Sequence, residues 1–310
     1  MEGAIHIGIS GWRYAGWRGV FYPPTLPQRN ELAFAAKNFD TIEINGTHYS
    51  LQRPESFARW VRETPEGFIF AVKGSRFITH MKKLRDVEVA LSNFFAQGVL
   101  LLGKKMGPVL WQFPPQFSFD ATKLETFFQM LPRTMKEAAL IASKHGPTLD
   151  GRAYTTFERG TSKRQIRHCI EIRHESFAVP QFIDLLRKHR VGLVVADTVE
   201  WPLLMDVTTD FVYCRLHGSE QLYESAYSAK SLELWADRIS TWITGIDVSS
   251  GRFASPRQCR KLKARDVFVY FDNDMKVRAP FDAKSLMERL NKRANRFARP
   301  ELKMSVAQTA

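Results

Sequence analysis

Short apolar runs alternate with longer amphipathic stretches along most of this chain. Eight runs of four to seven residues, rich in β-branched and aromatic side chains, are typical of strands. The predicted strands are Ile5–Ile9, Thr41–Ile44, Phe68–Lys73, Pro108–Phe113, Cys169–Arg173, Gly192–Asp197, Phe211–His217 and Val267–Asp272. Apolar residues recur every three to four positions in the intervals, which indicates helices. The predicted helices are Glu31–Asn38, Pro54–Glu63, Val87–Leu102, Leu124–Leu131, Val179–Lys188, Lys230–Thr244 and Asp282–Phe297.

This alternation predicts parallel strands joined by right-handed crossovers, and about eight such units close into a (β/α)8 TIM barrel. A doubly wound open sheet is the alternative, but no glycine-rich phosphate turn follows a strand. The interval between the fourth and fifth strands is too long for one crossover. Residues 132–164 are therefore predicted to be an insertion, with a helix-like piece at Met135–Lys144. We predict one barrel domain over residues 1–298 and a disordered tail over 299–310.

Composition narrows the class of protein. The 310 residues are 44% hydrophobic, enough for a packed core, and no run of 18 apolar residues predicts a membrane span. The amino terminus lacks the basic and apolar pattern of a secretory signal. Three cysteines, Cys169, Cys214 and Cys259, are far apart and form no CxxC motif, which argues against a disulfide framework or structural zinc site. We expect a cytoplasmic protein.

The chain is strongly basic, with 45 Lys and Arg residues against 32 Asp and Glu residues and a net charge of +13. Such a charge attracts polyanions, nucleic acid among them. The basic stretches at 159–168, 187–190, 252–265 and 289–299 fall on predicted helices and connectors. They are typical of a solvated surface, and nucleic-acid binding is the alternative interpretation. The pattern does not define an oligomeric state.

Polar side chains gather at the carboxyl ends of the predicted strands. Because alternate residues of a strand face opposite sides, the polar members of each strand share one face. In a barrel these strand ends meet at the mouth, where barrel enzymes bind their substrates. The candidate substrate-binding residues are Trp12, Tyr14, Asn45, Lys73, Gln112, Arg173, His174, Asp197, Arg215 and Asn273, and the candidate catalytic residues are Glu43, Glu171, His217 and His80.

The residue types in this set suggest particular roles. Glu43 or Glu171 could act as general acid or base, or each could pair with a neighbouring cation. Histidine titrates near neutral pH, so His80 and His217 could move protons. A divalent metal would bind such histidines and carboxylates, but the cations predicted in the same mouth disfavour it. We predict no metal and no cofactor.

The cations and aromatic residues suggest what the mouth binds. Lys73, Arg173 and Arg215 would hold a phosphate or a carboxylate group, because guanidinium groups match such oxygens in pairs. The aromatic residues of the first loop could stack on a ligand ring, or they could fold the loop onto the barrel rim. Trp12 and Tyr14 are the preferred ligand contacts, since they lie nearest to the end of the first strand.

Eight motifs occur in order along nearly the whole chain: Gly8–Tyr14, Trp17–Pro23, Glu43–Asn45 with Tyr49, Lys73–His80, Trp111–Pro115, Glu171–His174, Arg215–Gly218 and Tyr270–Asp274. Together they resemble the domain of unknown function 72 family, also called YecE-like. The resemblance implies a TIM barrel and supplies no substrate, because the family's activity is not established. His48 stands where the family usually has Phe, and Asp272 stands where it usually has Asn.

These observations lead to one main hypothesis and two alternatives. The main hypothesis is a cytoplasmic enzyme that acts on a small anionic or polar metabolite at the carboxyl-terminal mouth of the barrel. The alternatives are a nucleic-acid-binding or processing protein that uses the basic surface, and a ligand-binding barrel without catalysis. The sequence does not specify the reaction.

Overall fold

The computed structural model describes residues 3–218, 226–273 and 276–298, and within them eight parallel strands form one closed barrel in chain order. The first strand pairs with both the second and the eighth, which closes the sheet. The strands are β1 (Ile5–Ser10), β2 (Thr41–Ile44), β3 (Ile69–Lys73), β4 (Met106–Gln112), β5 (His168–Glu171), β6 (Val191–Asp197), β7 (Phe211–Leu216) and β8 (Asp266–Phe271). The predicted (β/α)8 architecture is confirmed.

Helices cover most of the outer surface of the barrel. They are α1 (Glu31–Ala36), α2 (Gly46–Tyr49), α3 (Pro54–Glu63), α4 (Glu88–Ala96), α5 (Ala121–Met130), α6 (Met135–Ala142), α7 (Pro180–Lys188), α8 (Ala229–Ile243) and α9 (Ala279–Ala298). Most of them are amphipathic, and their apolar stripes pack against the strands or against neighbouring helices.

The predicted helix Val87–Leu102 is wrong in its second half. Helix α4 ends at Ala96, and a short 3-10 segment at Val99–Lys105 leads into β4 instead. Gly98 causes the break, because its φ of +121° lies in the left-handed region and a Cβ there would stand 2.7 Å from the Phe57 ring. Only glycine adopts that backbone without strain.

The interval predicted as an insertion, residues 132–164, contains α6, which packs against α4 on the outside of the barrel. A backbone hydrogen bond also ties the interval to α4, since Tyr154 N donates to Ala96 O at 2.7 Å. The predicted disordered tail at 299–310 lies outside the described residues. Within the described ranges, no helix has the length and apolarity needed to cross a bilayer.

One crossover has no helix. Residues 198–210, which join β6 to β7, are irregular and pack against the segment between α8 and β8. Met205 N donates to Arg252 O at 2.9 Å, and Asp206 accepts hydrogen bonds from Ala254 N and Ser255 N. Two loops joined by backbone hydrogen bonds therefore form this part of the outer wall.

The barrel interior is filled by the inward side chains of the strands. Ala71, Leu110, Cys169 and Val194 pack there beside the stacked rings of β7 and β8. These layers close the lower part of the barrel, as is usual for the fold. Only the carboxyl ends of the strands carry inward polar residues in quantity, so the polar site lies at that end.

Candidate functional site

A single arginine organises the upper layer of the barrel. Arg215 of β7 has no exposed surface and donates hydrogen bonds to three carboxylates from three other parts of the barrel. Its Nη1 lies 2.7 Å from Glu171 Oε2, its Nη2 lies 2.8 Å from Asp272 Oδ2, and its Nε and Nη2 both bind Glu43. We call Arg215, Glu43, Glu171 and Asp272 the Arg215 cluster.

The other oxygens of the cluster also have donors. Glu43 accepts from Ser10 Oγ at 2.7 Å and from Tyr213 Oη at 2.6 Å. The guanidinium of Arg173 binds Glu171 Oε1 through two nitrogens, at 2.9 and 2.8 Å. Buried carboxylates are tolerated in a protein when opposite charges and hydrogen bonds surround them in this way.

The cluster fixes the charge of its carboxylates. Burial alone would raise the pKa of Glu171, but Arg215 and Arg173 outweigh it and hold that pKa well below its usual range. For Asp272, burial is likewise outweighed by Arg215 and His217, and its pKa is lowered. These groups are therefore ionised at neutral pH.

A cavity of about 550 Å³ opens above the Arg215 cluster. Its volume falls within the range of small-molecule sites in proteins. Three cationic side chains and one carboxylate line it, so its lining carries an excess of positive charge. The lining residues are Tyr14, Asn45, His48, Tyr49, Lys73, Arg76, His80, Gln112, Arg173 and Asp272.

Lys73 is the cation at the base of this cavity. It ends β3 with 6% of its surface exposed, and it makes no hydrogen bond or ion pair with any residue in the described part of the chain. Burial, and then the charge of Arg215, lower its pKa to about 8 although the nearby carboxylates oppose the shift. An amine without a fixed partner is available to a ligand.

Two histidines line the cavity beside Lys73. Burial, and then the charge of Lys73, lower the pKa of His48 to about 3, while burial and then Arg173 lower the pKa of His80 to about 4. Both imidazoles are therefore neutral at pH 7. The His48 Nδ1 lies 2.8 Å from Gly74 O, which assigns the ring proton to that nitrogen because a carbonyl can only accept.

Of the four predicted catalytic residues, only His80 reaches the cavity. Glu43, Glu171 and His217 have no exposed surface and lie beneath it. The His217 Nδ1 is 3.0 Å from Asp272 Oδ2, and its ring packs edge-on against Trp201. These three side chains can tune the charge of the site, but they do not meet a ligand in this structure.

Five predicted substrate-binding residues do line the cavity: Tyr14, Asn45, Lys73, Gln112 and Arg173. Arg215, predicted to hold an anion, does not, since the Arg215 cluster surrounds its guanidinium completely. Trp12 lines a neighbouring cavity of about 360 Å³, which also borders Tyr14 and Asn45, and packs edge-on against Trp60.

His174, Asp197 and Asn273 do not line the cavity, because they face away from the barrel interior. Asp197 accepts a hydrogen bond from Trp235 Nε1 of α8, and Asn273 Nδ2 donates to Asp282 of α9. The His174 side chain accepts from Ser176 N. Each follows an inward residue by one position, so the period of two places it on the outer face.

Four residues of the cavity lining are absent from the site predicted from the sequence. One of them, Asp272, could have been found, because it lies two positions after the inward Tyr270 and thus has the same parity. The others lie in the loops after β2 and β3, where strand parity no longer applies. They are His48, Tyr49 and Arg76.

Arg173 separates the cavity from a second groove of about 500 Å³. Its guanidinium stacks on the Trp201 ring at 4.0 Å while it binds Glu171. Stacking and pairing together fix the orientation of this arginine at the cavity wall.

In the part of the chain that the structure describes, no group of three or more His, Cys, Asp or Glu side chains has the arrangement of a metal site. The prediction that the site works without a metal stays a prediction. Asp272 is the carboxylate in the lining and Glu43 and Glu171 lie beneath it, and a guanidinium already binds each of the three.

Comparisons with known proteins agree with the barrel and name a family. The chain is 27% identical to the UPF0759 protein YecE of Escherichia coli over 245 residues, which cover 77% of this chain and 82% of that protein. It is 32% identical to the UPF0759 protein YunF of Bacillus subtilis over 118 residues, and that match spans 36% of this chain and 41% of the length of YunF.

Solved structures show the same fold. A DUF72 family protein from Thermotoga maritima superposes with a TM-score of 0.71 at 23% identity, covering 93% of this chain and 99% of that one. One from Enterococcus faecalis gives 0.65 at 17% identity, covering 93% and 95%. The family model described as "protein of unknown function DUF72" matches residues 6–306, which confirms the predicted resemblance. The chain therefore belongs to the DUF72 family.

Proposed function

We propose that the cavity above the Arg215 cluster binds a small polar metabolite with an anionic group, and that the protein is an enzyme acting on it. The observation that carries this proposal is Lys73. Among the described residues it has no ion-pair partner, although three carboxylates lie in the layer beneath it, because each of them is bound to Arg215 instead. A ligand anion would supply the missing partner.

The other cations of the lining support the same ligand chemistry. Arg173 presents a guanidinium whose orientation is fixed by Glu171 and Trp201, and Arg76 lies exposed at the rim. We propose that Lys73 and Arg173 hold the anion and that Arg76 attracts it into the cavity. Arg215 keeps these charges in place from below rather than binding the ligand itself.

His80 is the proposed proton-transfer group. Its neutral imidazole lines the cavity, and its Nδ1 lies 2.9 Å from Thr79 Oγ1, which orients the ring. A neutral imidazole can accept a proton from a bound substrate and return it in the same turnover. We propose a cytoplasmic location, because the three cysteines are free thiols of the kind that a reducing compartment preserves.

Thermal unfolding in the presence of anions tests the proposal. We expect inorganic phosphate, sulfate or a small carboxylate such as citrate to raise the melting temperature by a few degrees, since saturation at about 100 Kd adds about 2.7 kcal/mol. Lys73→Met should abolish most of that increase. Lys105→Met is the matched control, because Lys105 Nζ donates to Val61 O and Thr64 O away from the cavity.

The comparison uses the anion-dependent increase in each variant, so a change in basal stability does not affect it. An increase of equal size in wild type and Lys73→Met would show that the anion binds elsewhere. The absence of any increase in the wild type with every anion would contradict the proposed function.

Nucleic-acid binding remains the second candidate, and one observation favours it. Five cationic side chains between α8 and β8 are exposed on a single irregular segment; Arg252 pairs with Glu175, and the other four are Arg257, Arg260, Lys261 and Lys263. A salt titration of oligonucleotide binding separates the two candidates, because phosphate contacts along a strand weaken steeply with salt. Binding that persists in Lys73→Met and is lost when these four residues become Gln would support this alternative.

A further inference from the structure

We propose that Lys73 is a nucleophile that forms a reversible imine with an aldehyde or ketone, so that the metabolite is an anionic carbonyl compound. This inference rests on the proposed function, because it takes the same cavity as the substrate site. It goes further in giving Lys73 a covalent role and in naming the functional group with which it reacts.

The backbone around Lys73 is held unusually firmly. Thr47 Oγ1 donates to Lys73 O at 2.7 Å, and His48 Nδ1 donates to Gly74 O at 2.8 Å, so α2 ties down the end of β3. Gly74 also lies flat against the Trp111 ring, where a Cβ would stand 2.2 Å from the ring carbons. A reacting group built on a rigid strand end and supported by its neighbours is positioned for catalysis.

The Lys73 amine also has no fixed hydrogen bonds to give up. The contrast is Lys105, whose pKa is also lowered by burial but whose Nζ donates to Val61 O, Thr64 O and Thr64 Oγ1 within 3.0 Å. Lys73 has no such partner among the described residues, and it lines a cavity large enough for a substrate. Access and a free lone pair distinguish the two lysines.

The neutral fraction of the amine follows from its surroundings. With a pKa of about 8, about a quarter of Lys73 is unprotonated at pH 7.5. An ordinary lysine has about one part in a thousand unprotonated at that pH. Burial above the positive Arg215 is the physical cause, and lowering the lysine pKa in this way is a known means of activating an amine.

The covalent step balances without any outside reagent. The lone pair of Lys73 Nζ attacks the carbonyl carbon, the C=O π pair becomes a hydroxyl group, and the amine loses a proton to that oxygen through solvent or His80. A proton from solvent then converts the hydroxyl group into a leaving water molecule, and loss of that water gives the protonated imine, which withdraws electrons from the bonds of the neighbouring carbon. Addition of water reverses the step and restores the free lysine.

The rest of the cavity indicates what the carbonyl compound carries. With Lys73 engaged covalently, Arg173 and Arg76 remain to hold a phosphate or carboxylate group. Asn45 Nδ2 donates to Ser10 Oγ, while Asn45 Oδ1 and Gln112 Oε1 have no hydrogen-bond donor among the described residues. An amide oxygen accepts from O–H and N–H donors, and a hydroxyl group of the substrate would supply one. We therefore infer an aldehyde or ketone that carries an anionic group, with a hydrogen-bond donor such as a hydroxyl group favoured beside these oxygens.

Reductive trapping tests this inference. The full chain is incubated with sodium cyanoborohydride and either pyruvate or dihydroxyacetone phosphate, which separate the carboxylate and phosphate forms of the ligand, and with acetone as the uncharged control. Intact mass and peptide mapping then measure the adduct on each lysine. We expect one adduct per chain, on Lys73, formed about tenfold or more faster than on Lys105, and slowed by inorganic phosphate.

Variants separate a covalent from an electrostatic role. Lys73→Arg keeps the charge without a nucleophilic amine, so it should retain the phosphate-dependent rise in melting temperature and form no adduct at this position. Lys73→Met should lose both. Folding of each variant is checked by its own melting curve.

Two outcomes would overturn the inference, and they differ. Labelling of Lys73 no faster than that of Lys105, in a protein that phosphate still stabilises, would reject the nucleophile and leave the proposed function standing. Labelling by acetone as fast as by both anions, with no effect of phosphate on rate or stability, would reject the anionic substrate class and the proposed function together.

Discussion

Replacing Arg215 should lower the free energy of unfolding and also change how that free energy depends on pH. Arg215→Met keeps the approximate length of the side chain and removes the guanidinium shared by Glu43, Glu171 and Asp272. Removing one partner of a buried ion pair costs about 3–5 kcal/mol, because the remaining charge is left in a medium of low dielectric. Three carboxylates lose a partner here, although Arg173 still binds Glu171. We expect a loss of about 5 kcal/mol at pH 7, out of a total of about 5–15 for a folded domain.

The free energy of unfolding of Arg215→Met should change with pH in the direction opposite to that of the wild type. In the wild type the pKa values of Glu171 and Asp272 are depressed, so their contribution to stability is present above about pH 4 and is lost as the pH falls below it. Without Arg215, burial and mutual repulsion raise these pKa values above those of the unfolded chain. The folded variant then takes up protons, and its free energy of unfolding rises as the pH falls from 7 toward 5.

Urea unfolding followed by tryptophan fluorescence between pH 5 and 8 measures both effects. Arg265→Met is the matched control, since Arg265 is equally buried but pairs with one carboxylate, Asp247, at 3.1 Å. Arg265→Met should lose about 3 kcal/mol of stability, the lower end of the range for one buried pair, and its free energy of unfolding should vary less steeply with pH than that of Arg215→Met. Glu43→Gln keeps an acceptor for Arg215 and should cost about 1–3 kcal/mol.

The reasoning is refuted if Arg215→Met loses stability in parallel with the wild type as the pH falls from 7 to 5. It would also fail if Arg215→Met and Arg265→Met had the same cost and slope, because the number of carboxylates would then not matter. If Arg215→Met does not fold at pH 7, its profile is measured upward from pH 5, where the prediction makes it most stable.

Two further substitutions test His48 and Gly74, the neighbours that hold the backbone around Lys73. His48→Phe should gain stability relative to the wild type as the pH falls from about 6 to 4, by up to about 1.4 kcal/mol per pH unit. The reason is that His48 has a pKa of about 3 in the folded protein and must stay neutral when buried. Urea unfolding at each pH measures the difference, and parallel pH profiles of the two proteins would contradict it. Gly74→Ala should cost about 1–3 kcal/mol, because its Cβ would overlap the Trp111 ring. It should also slow adduct formation at Lys73, and an unchanged rate of trapping would show that the strand end does not position the amine.

Sequence pattern predicted the barrel because each strand is a short apolar run and each crossover, apart from that between β6 and β7, has a clear helical period. It also indicated which side chains face inward, since parity alone places Glu43, Lys73, Glu171 and Arg215 on the interior face. The sequence pattern could not show which of these side chains reach the cavity. That depends on contacts between distant strands, and the ion pairs of the Arg215 cluster hold Arg215, Glu43 and Glu171 beneath the cavity, while Asp272 still lines it.

Two other differences between the residues chosen from the sequence and those that line the cavity have local causes. Asn273 was chosen over Asp272 because the strand was taken to end one residue too late, although parity from Tyr270 favours the aspartate. His48 lies in the four-residue helix α2, too short to have a period that a sequence pattern can detect. Its hydrogen bond to Gly74 O depends on how two loops meet in space, which no spacing in the chain encodes.

The Arg215 cluster bears on the lifetime of the folded state as well as on its stability. The residues that meet in it are far apart in sequence, with a separation of 172 positions between Glu43 and Arg215, so the cluster is complete only when the whole barrel has closed. Contacts of such separation are made late, after most of the loop-closure entropy has been lost. Interactions absent from the transition state slow unfolding without speeding folding. The cluster should therefore slow unfolding. Weakening it should shorten the time a molecule stays folded while leaving its folding rate nearly unchanged.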